Sequence, residues 1–187
     1  MKKLLVIVVL CLFLITPSQA DDARDFEIEG ISLGDSALKY FSQENLETSI
    51  SNPPNLKNSL YDQSCFDNYG DTYDRICITY KKNSKKKIIN SIQAQIKYNR
   101  AAIPTCKKKQ KEIDKEFSLI FKNLKRREWG KQMLEGISHI DPEAHYYPII
   151  YEFSDKSRAQ VGCYHIKNLT RLKVAIYTHE FGLVIRN

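Results

Sequence analysis

Four histidines and a set of nearby carboxylates are the residues best equipped for acid–base or ligand chemistry. His139, Asp141, Glu143 and His145 crowd into the stretch "HIDPEAH". Imidazole beside carboxylate is what a general acid–base pair or a metal site needs. The two histidines stand six residues apart, which is neither a helical i, i+4 pair nor a strand pair. Pro142 marks a loop before a strand, so these four are expected to be solvated loop residues. His165 falls on the apolar side of a strand near its end and reads as a core-edge histidine. His179 has no evident partner. Glycine is scarce, and no phosphate-binding loop is present.

"YKKNSKKKII" carries the densest charge: Lys81, Lys82, Lys85, Lys86 and Lys87. These five are candidate anion-binding residues. They also fit the tip of a hairpin, where lysines discourage edge pairing. The chain has 11 tyrosines, several in strands beside lysines. Such residues suit polyanions or glycans, although half-buried packing with a wet hydroxyl is the commoner use.

The ends and the composition set the frame. Lys2 and Lys3 precede an apolar run from Leu4 to Ile15, then Pro17 and Ser18-Gln19-Ala20. That pattern predicts a secretory leader, residues 1–20, cut after Ala20. Leu10 before Cys11 does not suit a lipid-anchored cysteine. The expected product, residues 21–187, is periplasmic or secreted, with 27 basic and 22 acidic side chains. It is long enough for a single domain, with possible halves 21–100 and 101–187. Residues 21–48 carry eight acids against Arg24 and Lys39. This acidic segment is expected to lie on the basic body.

The periodicity predicts two units of helix followed by strands. Residues 26–32 can be extended. Asp35 can cap a short helix with Ala37, Leu38 and Phe41, and Ser42 a second with Leu46 and Ile50. Strands follow at 60–66, 73–80 and 88–98. A turn centred on Ser84 pairs Tyr80 with Ile88 and Ile76 with Ile92. A turn centred on Asp71 pairs Phe66 with Ile76, and Cys65 with Cys77. "IPTCKKKQKEIDKEFSLIFKNLKRR" is the clearest helix, with Pro104 in its first turn and an apolar stripe of Cys106, Ile113, Phe117, Ile120 and Leu124. A second meander uses residues 147–153, 159–165 and 172–176. A turn through "KNLT" pairs Cys163 with Val174 and Val161 with Ile176. The last stretch, "HEFGLVIRN", reads as a strand or a docked tail. The fold class is α+β: antiparallel meanders with helices on one face, in an order that suits a duplicated helix-then-strands unit.

Four cysteines remain after the leader, and an exported chain pairs them. Cys65 and Cys77 share the polar face of one hairpin. Cys106 lies on the apolar stripe of the long helix and Cys163 on an apolar strand face. The expected pairs are therefore Cys65–Cys77 and Cys106–Cys163. Zinc-type Cys-x-x-Cys spacing is absent, so neither metal nor cofactor is expected.

Two resemblances add to this reading. Gly34-Asp35-Ser36 after a possible strand resembles the hydrolases named for Gly-Asp-Ser, whose serine is the nucleophile. The nearest match to their late Asp-x-x-His is Asp141 to His145, one residue too long, and their Gly-x-Asn-Asp block is missing. The stretches "FEIEGISLGDSALKYFS", "YKKNSKKKIINSIQAQIKYN" and "CKKKQKEIDKEFSLIFKN" resemble a group of small exported bacterial proteins without an established function. "IEGISLGDSALKYF" also looks like the opening of the small outer-membrane assembly lipoproteins and the β-lactamase-inhibitor-like fold. That likeness implies a helical pair, a strand meander and a binding role, with no catalytic residue. The expected function is thus a non-enzymatic binding or structural protein of the envelope or secretome. Its partner would be an envelope protein, an anionic envelope polymer or lipid, and no nucleic acid is expected. The alternative is a small hydrolase using Ser36 or the His139–His145 loop.

Overall fold

A computed structural model describes residues 22–51, 53, 56, 59–98, 102–167 and 169–185. The leader and its cut after Ala20 lie outside these residues. Among them, eleven strands and three α-helices form the chain. In order they are β1 (Glu27–Ile28), β2 (Ile31–Ser32), α1 (Gln43–Thr48), β3 (Ile50–Ser51), β4 (Tyr61–Asp67), β5 (Arg75–Lys81), β6 (Ile89–Tyr98), α2 (Ile103–Ile120), β7 (Lys125–Glu128), β8 (Gln132–Met133), β9 (His145–Glu152), β10 (Arg158–Ile166), β11 (Leu169–Tyr177) and α3 (His179–Val184). β1 and β2 form a small ribbon. The others make one nine-stranded antiparallel sheet in the order β3-β4-β5-β6-β11-β10-β9-β7, with β8 also on β9. The two meanders meet where their last strands, β6 and β11, pair.

Each strand divides its side chains between two faces. The apolar set, including Ile76, Ile78, Ile92, Val161, Leu172, Val174 and Ile176, is fully or nearly fully buried under α2 and the N-terminal segment. Phe26, Phe117, Phe121, Tyr151 and Phe153 form an edge-on aromatic cluster there, with neighbouring ring centres 5.3–5.8 Å apart. Ser42 caps α1 by accepting from the Asn45 amide, and Leu46 is its buried anchor.

α2 is attached at both ends. Cys106 is bonded to Cys163, with Cα atoms 5.9 Å apart. One turn later, the buried Gln110 amide donates to the Tyr147 and Val161 carbonyls at 2.6 and 3.0 Å. Towards the other end, Arg126 of β7 forks onto Asp114, and the Tyr151 hydroxyl donates to the same carboxylate. Burial tends to raise the Asp114 pKa, but these hydrogen bonds outweigh it and hold the carboxyl below its ordinary value. Cys65 is bonded to Cys77 across β4 and β5. Two disulfides fit an oxidising, non-cytoplasmic compartment. No described helix is long and apolar enough to cross a membrane.

Several expectations need correction. Two registers are displaced by two residues, a shift that preserves the faces. Ile76 pairs with Ala94 and Ile78 with Ile92, because the ladder slips at Tyr80, which meets Ile89. Asn90 is left over in this bulge, and Ile89, not Ile88, enters the core. Likewise Cys163 pairs with Leu172 and Val161 with Val174, since the connection between Ile166 and Leu169 is only two residues long. Lys167 supplies the left-handed residue it needs, at φ 48°.

The long helix ends at Ile120, which is exposed. Lys125–Glu128 leaves it to become an edge strand on β9, a place that tolerates charge. Ser36, not Asp35, caps the 3-10 turn at Ala37–Lys39, while Asp35 accepts from Lys39 and Tyr40. Ile50 is exposed on β3. The acidic segment does lie on the body, through its apolar residues and the contact of Ser36 and Ala37 with the lysine tip, while its ion pairs among the described residues are internal, Asp22–Arg24 and Asp35–Lys39. Of the two readings of the C-terminal stretch, the docked tail holds: it is the helix α3, capped by Thr178 and seated through Phe181. Finally, the helices do not share one face. α3 packs Phe181 on Tyr61, Ala175 and Tyr177, which alternate with the core residues of their strands and so lie on the opposite side.

The two disulfides close loops of 57 and 12 residues, worth about 4 and about 3 kcal/mol in the chain-entropy relation. Replacing Cys106 and Cys163 together by Ala is expected to cost more in urea unfolding than the same change at Cys65 and Cys77. Non-reducing peptide mapping should return only these two linked pairs.

Candidate functional site

The face opposite α2 carries polar and aromatic side chains. From β6 come Ser91, Gln93 and Gln95. β11 gives Arg171, Lys173, Ala175 and Tyr177, β10 gives Gln160 and Tyr164, and β9 gives Tyr146. α3 roofs only the corner near Tyr177, and no other described α-helix packs here. Between α3 and the tyrosines lies a shallow depression of ≈ 340 Å³ including open space, lined by Gln93, Gln160, Tyr164, Lys173 and Tyr177 among others.

Lys173 is its centre. Across the ladders it faces Gly162 on β10 and Gln95 on β6. Gly162 leaves the room: a β-carbon there would come within 3.0 Å of the Tyr164 ring and 3.6 Å of the Tyr147 carbonyl. The lysine chain extends over that gap, and its Nζ lies 4.4 Å from the centre of the Tyr164 ring. Tyr164 stacks on Tyr146 at 5.0 Å and accepts a 2.7 Å hydrogen bond from Gln160. Burial pushes the Tyr164 phenol well up, so it stays neutral and keeps its own proton to donate.

Lys173 has no carboxylate partner among the described residues. Burial, helped by Arg171, lowers its ammonium to about 8. The side-chain oxygen of Gln95, directly opposite, is buried with no hydrogen-bond partner. A half-buried cation, an unused buried acceptor and a free phenolic donor thus share one patch of sheet. The arrangement can hold an anionic group beside hydroxyl groups.

The residues singled out in the sequence lie elsewhere. Lys81 pairs with Glu180 of α3 at 2.8 Å. Lys87 folds back onto the Lys82 carbonyl and lies over the Tyr80 ring. Lys85 and Lys86 are exposed at the tip, and Lys82 is half-buried beside them. The tip itself is docked: the Lys86 and Lys87 carbonyls accept from Ser36 and the Ala37 amide. Ser36 thereby spends its proton on a backbone carbonyl at 2.6 Å and its lone pair on the Leu38 amide. No described histidine or carboxylate bonds to it. Asp141 accepts the amides of Glu143 and Lys167 in the turn before β9. His139 is exposed, whereas His145 is the first residue of β9 and not a loop residue. His179 opens α3 and is exposed.

Sequence reading missed Lys173, Gln95 and Gly162 as a set. The available signal was alternation. Lys173 stands between Leu172 and Val174, so it must point away from the core, on the same face as Gln93 and Gln95. The chain matches no family model, no curated protein and no solved structure.

The lowered Lys173 pKa has a sign that stability reports. Below about 8 the lysine is charged both folded and unfolded, and its burial weakens the fold. Between there and the ordinary lysine value the unfolded chain binds the extra proton, so stability rises with pH. Lys173→Met, which keeps the stem, is expected to be more stable than wild type at neutral pH. That gain should shrink as urea unfolding is repeated up to about pH 9.5. A pH-independent gap would mean a solvated ammonium.

Proposed function

We propose that this chain is an exported, non-enzymatic binding protein of the bacterial envelope or secretome, and that its open sheet face holds an anionic, hydroxyl-rich polymer. The observation that carries the reading is Lys173, a half-buried cation without an internal counter-ion. Keeping such a charge off solvent weakens the fold, and a carboxylate or sulfate from outside would offset that cost. Around it, the stacked Tyr146–Tyr164 pair offers flat apolar surface to sugar rings, and Gln93 and the Tyr164 hydroxyl offer hydrogen bonds. The shallow floor suits an extended chain better than a small molecule, which is commonly held in a deep pocket. Further along, Trp129 is exposed beside Ile150 and extends the aromatic character, while Arg127 and Arg158 there are paired with Glu152.

Titration calorimetry at low salt with polygalacturonate, dextran sulfate and neutral dextran tests this. The two polyanions should bind and neutral dextran should not. Lys173→Met should weaken polygalacturonate binding about tenfold, or about 1.4 kcal/mol. Gly162→Leu, which fills the gap, should do the same. The pair Lys85→Met and Lys86→Met, exposed and screened, should change it less than threefold. Wild-type affinity in Lys173→Met, or no binding of either polyanion, would sink the proposal.

A further inference from the structure

On the other face of the sheet, at the end away from the aromatic cluster, two histidines meet that the sequence keeps 20 positions apart. His145 and His165 are direct partners in the β9–β10 ladder. Their ring centres are 5.2 Å apart and the planes tilt by 37°. Both rings are half-buried.

The proton positions follow from the neighbours. His145 Nδ1 lies 2.8 Å from the Glu143 carbonyl oxygen, which can only accept. Nδ1 therefore carries a proton, and in the neutral ring Nε2 holds the lone pair. A ring N–H given to a backbone carbonyl is the usual outer support of a metal-bound histidine. Tyr147 packs edge-on against the His145 ring at 5.5 Å and limits its rotation. On its other side His165 is paired with Thr170 of β11. His165 Nδ1 and Thr170 Oγ1 are both buried, and neither has a partner among the described residues.

From this we infer that His145 and His165 form a two-imidazole chelate for a late first-row divalent ion, with zinc(II) matching the ring spacing and copper(II) favoured only by the general affinity order. Two imidazoles bound to one ion through bonds of about 2.0–2.1 Å at a near-tetrahedral angle have ring centres about 5 Å apart, as here. Neutral imidazole suits these ions, and copper(II) leads the affinity order. Asp141, fixed by the amides of Glu143 and Lys167, brings negative charge to this end of the sheet. The cation of Lys107 is occupied over the Tyr147 ring at 3.5 Å. No group of three or more histidine, cysteine or acidic side chains among the described residues is arranged around one ion. The remaining positions are therefore left to water or to an incoming ligand. That makes the site exchangeable, far weaker than a four-ligand structural zinc. It is independent of the anion face, which lies across the sheet.

The test uses the disulfide-intact exported chain, freed of metal. Copper(II) added at one equivalent should give an electron paramagnetic resonance spectrum with hyperfine structure from two imidazole nitrogens. Zinc(II) titrated against a chromophoric chelator should bind once. His145→Ala or His165→Ala should each weaken zinc at least tenfold, while His139→Ala and His179→Ala leave it unchanged. In the wild type, zinc should move the ring proton resonances of His145 and His165 and of no other histidine, a reading that needs no variant to fold. No saturable zinc binding below about 1 mM, binding that survives both substitutions, or shifts confined to His139 and His179 would each overturn the inference.

Discussion

The attachment of α2 to β9 and β10 is the constraint on which the rest of the molecule depends. A buried Gln110 amide must use its hydrogens, and it uses both on strand carbonyls, of Tyr147 and Val161. With Cys106 bonded to Cys163 one turn earlier, the helix can neither rotate nor slide. Its apolar stripe then covers one face of β10 and β11, and the N-terminal segment covers the rest of that core. The Asp114–Arg126–Tyr151 group secures the far end and brings the charged edge strand β7 into register.

Sealing one face sends the chemistry to the other face and to the rim. Strand alternation places Lys173, Gln95 and Tyr164 where α2 cannot cover them. They are half-covered by their own length and by α3. That half-cover raises the energetic stakes of Lys173: a solvated lysine would be an ordinary surface charge, and a fully enclosed one could not reach a ligand. The cation–π contact with Tyr164 offsets only part of the cost of desolvation. At the rim, beyond the last core layer, the same strands bring imidazoles together at half-burial.

Much of this was legible in the sequence, and for a physical reason. Alternation and helical spacing are local, so they set the face of each residue. Faces sufficed to choose Cys65–Cys77 and Cys106–Cys163 among three possible connectivities, because a disulfide needs both partners on facing surfaces. A register error of two residues at Ile76 and at Cys163 left the faces unchanged and the conclusion intact. Caps were legible as well: Ser42 starts α1 as its residue type requires.

What alternation does not carry is the distance between residues far apart in the chain. The bulge at Asn90 arises where the Lys81–Lys87 tip docks on Ser36 and Ala37, a contact between separate segments. The fate of Lys125–Glu128 was decided by the free edge of β9, since the same residues would serve as the last turn of a helix. α3 forms because Phe181 finds Tyr61 and Tyr177 on the second face of the sheet. The sequence by itself determined which side chains share a face, because that follows from a period of two or 3.6 residues. Only the tertiary structure decided that Lys173 lies over a glycine beside Tyr164, and that His145 meets His165. Those are properties of register and of what covers what, which no local period encodes.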